Sequence, residues 1–187
     1  MRRIVFTMLT LIIVSGCAGK NPQTYAKATK SSSSEAAEKG VDGFRGMKWG
    51  ESLTELKKNK NFSYTGNDAG ADIYSIKGDS LKIGNADIKS ISYLFANGKF
   101  CGASVKTVGL ANFERMKETV FVKYGSGAKP NRFMESYFWF DYKKTRMMLE
   151  YKEVAGNGLL FMYSKETYDQ EKLAEAEKAK KGAAKDL

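Results

Sequence analysis

The dipeptide Asn97-Gly98 constrains this chain more than any other feature. It joins two runs rich in apolar and aromatic residues, from Ile91 to Ala96 and from Lys99 onward. Asn-Gly favours a two-residue type I′ turn, because both central positions need positive φ. A hairpin closed this way has a set register. Ala96 is expected opposite Lys99, Phe95 opposite Phe100, Leu94 opposite Cys101 and Tyr93 opposite Gly102. Side chains alternate along a strand, so Ile91, Tyr93, Phe95 and Phe100 share one face, the expected core face. Cys101 falls on the other face beside Leu94, where a thiol serves as a small apolar filler. The frame to expect is an antiparallel sheet.

Other strands are expected over 72–77 and 81–83, parted by Gly78-Asp79. Three more are expected near 136–140, 146–152 and 158–163, with Gly156-Asn157-Gly158 turning the last pair. Two helices interrupt them. Ser52 is an N-cap for the first, with Glu55 completing a capping box. Leu53 and Leu56 face inward, and Lys57, Lys58 and Lys60 sit where the helix dipole favours cations. Asn112 caps the second, in which Phe113, Met116, Val120 and Tyr124 form one stripe at helical spacing. Gly125 ends it. Beyond Ser164 the chain is charged and Ala-rich, with only Tyr168 and Leu173 as larger apolar residues before the terminal Leu187. The expected fold class is α+β: an antiparallel β-sheet with two helices packed on one face, plus a charged C-terminal helix. Gly50, Leu53, Leu56 and Lys57 echo Gly109, Phe113, Met116 and Lys117, the last three at an offset of sixty, a faint mark of duplication.

The N-terminus carries an address. Arg2 and Arg3 precede an apolar run from Ile4 to Val14, and small residues follow. A charged start, a short apolar middle and a small-residue cut site make a secretory signal. The run is too short for a spanning helix, which needs roughly 20 apolar residues. The expected divisions are a signal peptide over 1–16, a lipidated Cys17 with a flexible Ser-rich tether to residue 42, a globular domain over 43–164 and a charged tail over 165–187. The tether contains Ser31 to Ser34 and too little apolar surface to fold.

Val14-Ser15-Gly16-Cys17 resembles a bacterial lipobox. That resemblance implies a diacylglycerol on Cys17 and an amide-linked chain such as palmitate, which together satisfy the need for more than one lipid for stable anchoring. Ala18 after the Cys implies the outer membrane, inner leaflet, facing the periplasm. The opening Phe44-Arg45-Gly46-x-x-Trp49-Gly50-x-x-Leu53 resembles a group of small secreted or lipid-anchored bacterial proteins of no assigned activity. Asn112-Phe113, Lys123-Tyr124-Gly125 and the strand from Tyr137 to Phe140 are similar to the same group, across roughly residues 43–164. At the level of fold alone the pattern resembles small outer-membrane assembly lipoproteins and β-lactamase-inhibitor-like modules.

Composition removes several chemistries. The chain has no histidine, hence no imidazole base and no Ser-His or Cys-His nucleophile. Its two cysteines, one of them consigned to lipid, build neither a disulfide framework nor a structural zinc site. No carboxylate pair is spaced for acid/base work, and Gly125-Ser126-Gly127 lacks the context of a phosphate loop. Met147 and Met148 point to opposite faces of a strand, and neither they nor Met134 and Met162 make a metal motif. We therefore expect no catalytic, cofactor or metal residues, and no enzyme.

The formal charge of +10 is uneven. Residues 43–164 hold nineteen Lys/Arg and twelve Asp/Glu, while the tail holds six of each. A basic domain suits anionic envelope partners as well as plain solubility, and nucleic acid is not expected outside the cytoplasm. The candidate interaction surface is Phe44, Trp49, Tyr137 and Trp139. Three functions stay open: a non-enzymatic protein-interaction module of the envelope, a binder of an anionic lipid or glycan, and a hydrolase with a cryptic site. A docking module would show a flat apolar patch, a ligand binder a concave pocket lined by Lys and aromatics, and a hydrolase converging polar groups.

Overall fold

The computed structural model describes residues 41–68, 70–140, 142–167, 169 and 170. The expected signal peptide, Cys17 and the expected tether as far as residue 40, together with the tail from 171, lie outside the described residues.

The chain opens with a small hairpin, β1 (Gly43–Phe44) and β2 (Met47–Lys48), and a single helical turn, α1 (Leu53–Leu56). The strands β3 (Phe62–Asp68) and β4 (Ala71–Ile76) follow. A second small hairpin, β5 (Lys82–Ile83) and β6 (Ala86–Asp87), leads to β7 (Ser90–Ala96) and β8 (Lys99–Val108). Helix α2 (Leu110–Tyr124) precedes β9 (Ser136–Trp139), β10 (Thr145–Lys152) and β11 (Asn157–Ser164). Seven strands form one antiparallel sheet in the order β3-β4-β7-β8-β11-β10-β9. The molecule is α+β, with most of its ordered structure in antiparallel sheet. The chain walks inward from one edge through β3, β4 and β7 to β8. It then crosses by α2 to the other edge and walks back through β9 and β10 to β11, beside β8.

The Asn97-Gly98 turn forms as expected, with φ of 50° and 74°. Ala96 pairs with Lys99 and Phe95 with Phe100. The register then slips, so that Leu94 pairs with Gly102 and Tyr93 with Ala103, and Cys101 is the extra residue of a bulge. The hydrophobic pattern explains the slip. Without it Gly102, Ser104 and Lys106 would face the core. With it Ala103, Val105 and Thr107 do, each at most 1% exposed. Cys101 stays on the opposite face, buried with Ala71 and Tyr163, its thiol donating to the Leu94 carbonyl.

The core lies on one face of the sheet. Tyr93, Phe95, Phe100, Leu149 and Met162 supply its floor, and the α2 stripe of Phe113, Met116, Val120 and Tyr124 is buried against it. Met47 and Phe44 of the first hairpin and Ala86 of the second belong to the same cluster, and Leu53 and Leu56 pack on it half-buried.

Several details depart from expectation. Ser52 accepts from the Thr54 amide, and Glu55 pairs with Lys58 instead of closing a capping box. Helix α2 begins at Leu110 after Gly109. Asn112 therefore sits inside the helix, where its Oδ1 accepts from the Asp87 amide and ties α2 to β6. The β10–β11 turn spans residues 153–156, because Asn157 already pairs with Lys152. The echo at sixty falls on unlike positions: Leu53 opens a one-turn helix, whereas Phe113 lies in the first turn of a fifteen-residue one. Strand β3 went unforeseen. Its Gly66-Asn67-Asp68 end reads as turn chemistry, and a bulge between Tyr64 and Gly66 absorbs it. The tail enters as helix over 165–167, with the Lys165 amide on the Lys144 carbonyl.

Candidate functional site

The aromatic strand β9 divides its residues between two environments. Tyr137 and Trp139 are buried toward α2, and Phe121 meets both rings edge-on. The Trp139 indole donates to the carbonyls of Tyr124 and Gly125 at 3.0 and 3.1 Å. The Tyr137 hydroxyl donates to Glu135 at 2.6 Å. Gly127 makes this approach possible, since a Cβ there would lie 2.8 Å from the Trp139 ring. Ala128 next to it exchanges both backbone hydrogen bonds with Phe138, so a loop covers part of the β9 edge.

The N-terminal motif is equally inward. Phe44 is buried. Arg45-Gly46 is a second two-residue turn with both φ positive, 50° and 80°. An L-residue held there costs roughly 1–2 kcal/mol, and the Arg45 guanidinium offsets it with three contacts: Asp79 at 2.6 Å, the Ser80 carbonyl at 2.8 Å and the Lys82 carbonyl at 2.9 Å. Asp79 also accepts from the buried Tyr93 hydroxyl. Burial, then that hydrogen bond, pushes the Tyr93 pKa up. Trp49 is half-buried, lies tilted against the Phe100 ring at 4.9 Å and donates to Thr145 at 2.8 Å. Thr145 in turn donates to the Val41 carbonyl. Gly50 and Glu51 exchange backbone bonds with Phe100, so this segment is sewn to the start of β8.

Phe44, Tyr137 and Trp139 thus offer no surface to a partner, and Trp49 offers little. The same strand presents other rings to the opposite face. Phe138 and Phe140 stack in parallel at 5.5 Å, and Phe140 is 57% exposed. Phe138 pairs across the sheet with Met148, and Met148 with Phe161. Phe161 stacks on Tyr163 at 5.6 Å. Phe138, Met148, Leu159 and Phe161 are all half-buried. Together they make an apolar stripe, with the exposed Lys106 and the half-buried Arg146 beside it. Sequence reading picks this strand but the other pair of its rings, because four consecutive aromatics carry no alternation of their own. The phase comes from the neighbouring strand, where polar Arg146 and Glu150 share a face with Met148, and Met147 and Leu149 the other.

Glu135 is the electrostatic centre of the β9 end. Lys129 reaches it at 2.5 Å and Lys117 at 3.3 Å, and Lys117 also pairs with Glu114. The Lys129 and Tyr137 hydrogen bonds hold the Glu135 carboxyl down at about 2. Burial works against the Lys117 ammonium, but Glu114 and Glu135 outweigh it and raise its pKa. Burial, then Glu135, raises that of Tyr137. Every carboxylate oxygen of Glu135 faces a donor, so the cluster braces α2, the 126–135 loop and β9.

A cleft of about 500 Å³ opens between the first hairpin, β5 and the C-terminal half of α2. Met47, Val120, Leu160 and Met162 form its apolar floor, and Arg45, Lys48, Lys82 and Lys123 line it. Among the described residues, no three His, Cys, Asp or Glu side chains gather to hold a metal. No helix among them is long and apolar enough to cross a membrane. Comparison with family models, with curated proteins and with solved structures finds no match for this chain.

Proposed function

We propose that this chain is a lipoprotein of the bacterial envelope, anchored through Cys17 and facing the periplasm, that acts as a non-enzymatic protein-interaction module. The observation that carries the reading is the apolar stripe of Phe138, Phe140, Met148, Leu159 and Phe161 on the sheet face turned away from the core. A contiguous apolar strip with a polar border is the form that a docking surface takes. In this reading α1 and α2 share the core face, a charged helix continues from Lys165, and the docking face is left to an apolar segment of an envelope protein. The leader, the lipobox resemblance and the Ser-rich tether support the address.

The test is mild in-cell crosslinking of the tagged chain, followed by mass spectrometry. A single stoichiometric envelope protein should be captured by the wild type, and the yield should fall for Cys17→Ser and for Phe140→Ser. Capture that ignores Phe140→Ser would move the docking surface elsewhere. Unchanged membrane attachment of Cys17→Ser would end the anchor reading.

A further inference from the structure

The cleft beside the first hairpin carries an inference that does not depend on the docking face. Its floor is hydrocarbon and thioether: Met47, Val120, Leu160 and Met162, each at most 2% exposed. Its volume of about 500 Å³ falls in the range of small-molecule sites, roughly 300–1,000 Å³. The polar groups around it sort into two kinds. Arg45 is spent on Asp79, Ser80 and Lys82, and Lys82 is paired with Asp87 at 2.8 Å. Lys48 and Lys123 are exposed and, among the described residues, make no ion pair. Asp42 is the sole acid in the lining.

Lys123 rests over the Tyr124 ring at 5.1 Å, so the rim is cationic and, among the described residues, without a carboxylate on Lys48 or Lys123; with an apolar floor this fits one ligand chemistry. We propose that the cleft binds a single-tailed anionic amphiphile, its tail on the Met47–Met162 floor and its head group against Lys48 and Lys123. A glycan fits less well. No Asn or Gln lines the cleft, and the Thr119 hydroxyl is turned back onto the Arg115 carbonyl at 3.1 Å, which leaves Asp42 as the one lining carboxylate to read sugar hydroxyls. The cleft floor belongs to the core face of β11, and the Phe138–Phe161 stripe lies on the other. Loss of one site therefore leaves the other intact.

Isothermal titration of the full chain carrying Cys17→Ser tests the assignment. The probes are monomeric myristate, a maltoside with the same tail, and acetate. Myristate should bind one per chain, the neutral maltoside about tenfold more weakly, and acetate not at all. The double variant Lys48→Glu/Lys123→Glu changes two exposed side chains and should keep the fold, read by circular dichroism. It should lose about tenfold in myristate affinity and leave the maltoside unchanged. No myristate binding, binding of acetate alone, or indifference to the double variant would each overturn the proposal. Sedimentation with phosphatidylglycerol vesicles without binding of monomeric myristate would assign the rim to a membrane surface and overturn it too.

Discussion

The two faces of the sheet are built from the same four-residue run, Tyr137 to Phe140, yet they solve opposite problems. On the inner face sit Tyr137 and Trp139, the two rings with a polar atom, and each polar atom finds a carboxylate or a carbonyl. On the outer face sit Phe138 and Phe140, rings with nothing to satisfy. This inverts the usual preference for Tyr and Trp at interfaces. The inner face is specified by hydrogen bonds as well as by packing, and its residues have one place to go. At β9 the outer face is specified by alternation alone. Aromatic content does not locate a docking surface; the presence or absence of an internal partner for each ring does.

The largest effect should come from the inner face. Trp139→Ala removes a 7%-exposed ring and the indole bond that closes the end of α2. We expect a loss of about 3–5 kcal/mol in urea unfolding. A loss below 1 kcal/mol would mean that the outer face carries more of the packing than its exposure suggests.

Next comes the clamp at the first hairpin. Asp79→Ala leaves the Arg45 guanidinium and the buried Tyr93 hydroxyl without their shared carboxylate. Removing one partner of such a set costs about 2–3 kcal/mol. Asp79→Asn, which still accepts a hydrogen bond, should cost less. Equal losses for the two variants would show that the charge, rather than the hydrogen bonding, holds the turn.

The Glu135 brace gives a smaller effect with a pH signature. Its carboxyl is held at about 2 against an ordinary 4.5. A depressed acid contributes stability that is complete above its unfolded pKa and drains as the pH falls toward the folded one. The window therefore runs from about pH 4.5 down to about pH 2. The side chain is 30% exposed, so solvent screening reduces the contribution to about 1 kcal/mol. Glu135→Gln should flatten that part of the stability curve. A variant with the wild-type acid slope would place the responsible carboxylate elsewhere.

Legibility in the sequence followed the same divide between specified and unspecified. Asn97-Gly98, the α2 stripe and the Gly125 stop are local rules, and the chain obeys them. The bulge at Cys101 is not local: it appears because Ala103 and Val105 win the core face from Gly102 and Ser104. The Arg45-Gly46 turn hides because Arg is a poor residue for positive φ, and what holds it, Asp79, lies thirty-four positions away. The site was the least legible part. Tyr137-Phe138-Trp139-Phe140 cannot be phased from its own residues, so the surface was assigned to the two rings that turn inward. The cleft left no trace at all, since its floor comes from β2, α2 and β11 together.

The smallest stability effect is the most informative about function. Phe140→Ser removes a ring that is already 57% exposed, lies just past the end of β9 and is stacked, among the described residues, on Phe138 alone. Little area leaves water when it folds, so unfolding should shift by no more than about 0.5 kcal/mol. Its effect on association should be far larger, because a partner would desolvate the ring fully, and truncating such an anchor commonly costs 2 kcal/mol or more of binding, about thirtyfold in Kd. Read side by side with Trp139→Ala, this variant splits the strand into its two roles. Stability lost at 139 and binding lost at 140 is the pattern the docking proposal requires. Stability lost at both would make the stripe a second core face whose cover is intramolecular, and the docking surface would then have to be sought elsewhere on the domain.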